Sequence, residues 1–255
     1  VDTLFGAWTP LVWFLIGFVL VFFLTRWINA HLQGTLLLLG VDADAIMVMQ
    51  FVLLFPGILL HEISHWVAAK LLGVRTLGFS VWPQKKGQGK FQYGAVRIAS
   101  ADILRSSLIG LAPFVGASLV LILIGRYALG TETLRQVVAL GQWSGLWGAL
   151  AEATRAPDFW VWLYLIFAVS NAMFPSAADR EAWKPLLVYI AIAGTLLYLA
   201  GWKPSLRAVP SFLEQVTNPL IYAFGITALA DLFFAVTIGL LEVGIGAVLG
   251  RRVQY

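Results

Sequence analysis

The chain has 255 residues, of which 60% are hydrophobic and only 12% charged. A soluble globular domain carries about 25% charge, so this balance excludes an ordinary soluble enzyme and excludes disorder. The net charge of +4 is spread over a greasy chain and is no nucleic-acid footprint, and the absence of cysteine excludes disulfides and Cys-based metal sites.

Charged residues punctuate the chain and mark six expected spans, near 7–28, 45–72, 105–126, 159–179, 184–202 and 219–249. Most are charge-free runs of about 20 residues, enough to cross a hydrocarbon core of roughly 30 Å as a helix. The first run lacks a basic leader and is too long for a signal peptide. The chain starts at Val1 rather than Met, which points to trimming or to a partial chain. Trp8, Trp27, Trp160, Trp162, Trp183 and Trp202 fall at span ends, where amphipathic rings settle at headgroup level. The expected fold is an all-α polytopic membrane protein, one embedded domain over 1–255.

Between the second and third spans, residues 77–83 and 90–98 are rich in strand formers and flank a Lys-Lys-Gly-Gln-Gly segment. That pattern predicts a small β-hairpin. Residues 131–155, with Trp143 and Trp147, predict a short interfacial helix. Segment 70–105 holds seven of the seventeen Lys and Arg. With six crossings, the split is eleven to six in favour of the hairpin side, which places that side and both termini in the cytoplasm.

The second span contains His61-Glu62-Ile63-Ser64-His65, an HExxH pattern. Positions i and i+4 share a helix face, so both imidazoles can reach one metal, and Glu62 is placed beside it as a general base. Zinc suits imidazole, and a catalytic zinc needs a third protein ligand and an open position. Ionisable groups inside an apolar span cost about 2.5–3.5 kcal/mol each unless partnered, so function is the default reading. The third ligand is expected on another span at similar depth. Asp179, at the end of the fourth span, fits, with Glu181 in reserve. An interfacial pair of Asp179 with Arg180 or Arg105 is the structural alternative. Ser64 with the small residues Gly110, Pro113 and Gly116 is expected to leave room for water. Asp231 and Glu242, both in the last span, receive no role. His31 is expected at the interface after the first span.

These residues resemble the site-2 proteases, which are intramembrane zinc metalloproteases. Their HExxH is matched by His61, Glu62 and His65. Their second motif is an Asn-Pro-Asp-Gly pattern with the Asp eight residues after the Asn, a spacing kept by Asn171 and Asp179. Two departures stand out: Pro175 lies one place later than usual, and Arg180 replaces the Gly. The resemblance covers about residues 45–180 and is closest to compact six-span members without a PDZ domain. It implies a metalloendopeptidase with one Zn2+ held by His61, His65 and Asp179, Glu62 as the catalytic acid–base, and Asn171 contacting the substrate backbone. For Asn171 an interhelical hydrogen bond is the alternative. It further implies a transmembrane protein substrate, no nucleic-acid partner and a prokaryotic plasma membrane. Two other readings share the motif: a catalytically silent homologue that binds membrane segments, and a zinc transporter of the ZIP type, whose His-Glu-Ile-Pro-His-Glu stretch is similar. Trp66 replaces the final Glu of that stretch, and only His31 remains to build a second metal motif.

Overall fold

The fold is taken from a computed structural model, which describes residues 6–86, 90–131, 133, 136, 143–181, 183–201 and 209–253. A short turn at Gly6–Trp8 leads into α1 (Thr9–Leu38). Next come α2 (Ala43–Leu71), α3 (Ile103–Leu123), α4 (Leu146–Ala153), α5 (Phe159–Ala172), α6 (Trp183–Leu199) and α7 (Val209–Leu249). A π turn at Ile124–Ala128 extends α3. Four of the helices are long and apolar enough to cross a membrane: α1, α2, α3 with its π turn, and α7.

The two remaining expected spans are shorter. Helix α5 has 14 residues and α6 has 17, or about 21 and 26 Å at 1.5 Å per residue. The apolar run continues past Ala172, but Phe174 precedes Pro175, and a residue before proline is driven out of the helical region. The fourth span therefore stops at Ala172 rather than 179. Helix α6 has no buried residue along its length.

The last helix packs on the first in the parallel sense. Gly17 abuts Phe224, Trp27 abuts Gly239, and His31 bonds Glu242. Rising numbers on α1 meet rising numbers on α7, so the two run parallel. Six successive crossings would make them antiparallel. The start of α1 and the end of α7 therefore lie at opposite ends of the bundle.

Local signals start the helices next to the site. Asp42 caps α2 by accepting the Asp44 and Ala45 N–H groups, both at 3.0 Å, and Asp102 caps α3 through the Arg105 N–H at 3.0 Å. Small residues set the spacing. A side chain at Gly57 would run into the Ala168 carbonyl, so only glycine lets α2 and α5 lie this close. The core between α1, α3 and α7 is aromatic, with Phe18 and Phe224 each against Phe14 and Phe114, and Phe174 against Phe18.

The hairpin between α2 and α3 is present as two antiparallel ladders. β1 (Thr76–Ser80) pairs with β4 (Ala95–Ile98), and β2 (Gln84–Lys86) pairs with β3 (Lys90–Gln92). Leu77 is bulged out of the first ladder, between the Thr76↔Ile98 and Gly78↔Arg97 pairs. The tip of the Lys-Lys-Gly-Gln-Gly segment, 87–89, lies outside the described residues, as does most of 132–142 in the expected interfacial helix. The described part of that helix is α4, where Trp147 is exposed. Trp202, Arg135, Lys203 and Arg207 also fall outside the described residues.

Candidate metal centre

His61 and His65 sit one turn apart on α2, 10 and 6 residues before its end at Leu71, or about 15 and 9 Å along the axis. Each imidazole is held by its Nδ1. His61 Nδ1 lies 2.7 Å from the Ala172 carbonyl at the end of α5, and His65 Nδ1 lies 2.8 Å from the Ile109 carbonyl on α3. A carbonyl only accepts, so both Nδ1 atoms carry a hydrogen, and in the neutral rings both Nε2 atoms present lone pairs. These two Nε2 atoms face each other at 3.1 Å. Two lone pairs at that distance repel unless a cation lies between them.

Asp179 completes the group. Its Oδ1 is 3.2 Å from His65 Nε2 and its Oδ2 is 3.6 Å from His61 Nε2. One ligand atom from each of the three lies within 4.8 Å of the others. Donors about 2.0–2.1 Å from a tetrahedral zinc are about 3.3 Å apart, so the 3.1 Å between the two Nε2 atoms suits that ion, and Asp179 turns one oxygen toward each imidazole, at 3.2 and 3.6 Å. The donor set of two imidazoles and one carboxylate fits a metal of this class.

Asp179 reaches the histidines from a loop, seven residues past the end of α5. A capping box orients it. The Ser176 N–H donates to Asp179 Oδ2 at 2.7 Å, and the Asp179 N–H donates to Ser176 Oγ at 3.3 Å. This Ser-x-x-Asp spacing was readable in the sequence, yet sequence reasoning passed over Ser176. Gly110 on α3 takes the loop's backbone directly: a methyl there would strike the Asp179 carbonyl. Gly116 accommodates the Ser64 hydroxyl in the same way. Both glycines thus serve close packing, and Gly110 also lines the cavity at the site. Neither alternative partner of Asp179 is used, since Arg105 pairs with Asp102 and Arg180 Nε bonds the Ser176 carbonyl. Glu181 is exposed and outside the group.

The three residues line a cavity of about 630 Å³ together with Glu62, Asn171 and, unforeseen from sequence, Asn29, Tyr93 and Gly94. Glu62 is only 4% exposed. It is covered by Gly94, which adopts φ +76° at a point where any side chain would collide with the Glu62 carboxylate. The adjacent Tyr93 hydroxyl donates to Gln50 Oε1 at 3.0 Å and fastens the hairpin to α2. Burial pushes its phenol above the ordinary range, so it stays a donor. The signal for Gly94 was present, since glycine is the residue for positive φ, but the tertiary contact with Glu62 was not.

Asn171 lines the cavity while its amide bonds inside the bundle, donating to the Phe167 carbonyl at 2.8 Å and accepting from Asn29 at 3.0 Å. The other ionisable groups pair between helices. Ser170 Oγ lies 2.7 Å from Oδ1 of the fully buried Asp231, joining α5 to α7. His31, inside α1 rather than after it, bonds Glu242 at 2.5 Å and stacks on Trp27.

No protein-family model, curated protein or solved structure matches the chain.

Proposed function

We propose that this protein is an intramembrane zinc metalloprotease of the site-2 type. It hydrolyses a peptide bond within or near the transmembrane segment of a membrane-anchored protein. The observation that carries the reading is the pair of imidazole Nε2 atoms facing each other at 3.1 Å with both Nδ1 atoms committed to backbone carbonyls, closed by Asp179 and beside the buried Glu62. A scaffold that only binds membrane segments has no use for Glu62. A transporter needs a second metal group, and among the described residues His61, His65 and Asp179 are the only group of three.

His61, His65 and Asp179 would hold the zinc, which when bound would supply Lewis acidity toward a water and the scissile carbonyl. The Glu62 carboxylate takes the proton from that water and delivers it to the leaving amine. A helical substrate has its backbone bonds satisfied internally and must unwind before attack. Strand β4 pairs with β1 on one side only, and its residues Ala95, Val96 and Ile98 line the cavity. Its other edge offers backbone hydrogen bonds to an extended segment. The protein lies in a prokaryotic plasma membrane with the basic hairpin end in the cytoplasm.

The test is cleavage in proteoliposomes of a library of single-pass membrane proteins. Wild type cleaves a subset, and Glu62→Ala cleaves none while keeping its zinc. Zinc-loaded wild type that cleaves nothing but retains library members would favour the silent homologue.

A further inference from the structure

Asn29 on α1 lines the cavity beside the candidate metal ligands, and the proposed chemistry does not use it. Its donors are fully committed. Nδ2 donates one hydrogen to the Thr25 carbonyl at 2.7 Å and the other to Asn171 Oδ1 at 3.0 Å. Asn171 repeats the arrangement on α5, where Nδ2 donates to the Phe167 carbonyl at 2.8 Å and faces Ser170 Oγ at 3.4 Å.

Amide orientations follow from the groups they meet, and here two helix carbonyls decide both. Each carbonyl can only accept, so each Nδ2 must face its own helix. Asn171 Oδ1 then receives the second hydrogen of Asn29. The Asn171 amide is engaged within the bundle, and Asn29 Oδ1 is left with no hydrogen-bond partner among the described residues.

We infer that Asn29 Oδ1 is a substrate-binding acceptor, taking a backbone N–H from the unwound segment of the membrane polypeptide at the metal centre. The inference rests on the protease reading. An unwound segment at membrane depth carries N–H groups that lipid cannot satisfy. Strand β4 supplies backbone partners from one wall of the cavity, and α1 supplies a lone acceptor from another. The Asn29–Asn171 bond holds that acceptor in place, so Asn171 positions Asn29.

The experiment uses two leucine tripeptides carrying a hydroxamate, one at each end, so that both sides of the metal are sampled. For each, ester analogues replace one backbone N–H at a time by oxygen. Affinities are measured on the zinc-loaded full chain for wild type, Asn29→Ala and Asn29→Gln, with zinc content read separately. One ester analogue binds wild type about 2- to 12-fold more weakly than its parent peptide, the range for one neutral hydrogen bond. That penalty disappears in Asn29→Ala and persists in Asn29→Gln, which keeps both the amide N–H groups and an acceptor, while zinc content stays at wild type in both. If Asn29 served only to hold Asn171, Asn29→Ala would weaken every peptide equally and leave the ester penalties as in wild type. That result overturns the inference, as does an ester series without any penalty in wild type. No zinc-dependent hydroxamate binding by wild type would instead defeat the protease reading, and the inference with it.

Discussion

Replacing Gly110 by alanine tests how the third ligand is held. The new methyl would lie 3.2 Å from the Asp179 carbonyl carbon and 3.3 Å from Trp183 Nε1, and closer still to the Asp179 carbonyl oxygen. The obstacle is backbone and cannot rotate aside, so the 176–181 turn must recede. Metal–ligand distances tolerate about ±0.2 Å, less than the retreat required. Overpacking of this kind costs about 1–3 kcal/mol. The metal-free protein can relax by moving the loop, whereas the loaded protein needs Asp179 in place. The strain therefore emerges as lost metal affinity, about 5- to 150-fold at 1.36 kcal/mol per decade. Gly116→Ala is the control, because its closest clash is with the Ser64 hydroxyl, the end of a side chain that can turn away, with Ser64 Cβ at 3.3 Å, and not with the backbone of a candidate ligand. Zinc affinity by chelator competition in detergent should fall at least fivefold for Gly110→Ala and change less than about threefold for Gly116→Ala. Wild-type affinity in Gly110→Ala would refute the reasoning.

Two further outcomes follow from contacts elsewhere. Gly94→Ala places a side chain against Glu62 in a left-handed backbone conformation, which alone costs about 1–2 kcal/mol. Proteolysis should drop at least tenfold with one zinc retained, and an unchanged rate would show that the hairpin does not sit over Glu62 in the working enzyme. Glu242→Leu leaves His31 without its charged partner inside the α1–α7 contact. It should lower stability by about 1.5–3 kcal/mol, and a second change, His31→Phe, should recover part of that loss in thermal unfolding.

Much of the centre was legible in sequence because local geometry carries it. Two histidines four apart on a helix meet whatever surrounds them. Asp179 was reached by spacing and depth, but as a helix end, whereas it stands in a capped turn beyond one. Hydropathy does not separate an apolar helix from the apolar non-helical stretch Met173-Phe174-Pro175, so the fourth span was drawn too long. The pairing of α1 with α7 was not legible for a related reason. Apolar runs reveal which segments suit lipid, but not which neighbour each chooses, and α1 beside a parallel α7 depends on contacts such as Gly17 with Phe224. Asn29 and Gly94 carry no motif. Their part in the site arises from what the fold sets beside them.

The most direct test of the central claim is zinc stoichiometry on purified protein in detergent, for wild type, Asp179→Ala and Glu62→Ala. One zinc per chain in wild type and Glu62→Ala, with loss in Asp179→Ala, is the predicted result. Zinc retained in full by Asp179→Ala, or bound by none of the three after reconstitution with excess metal, would contradict it.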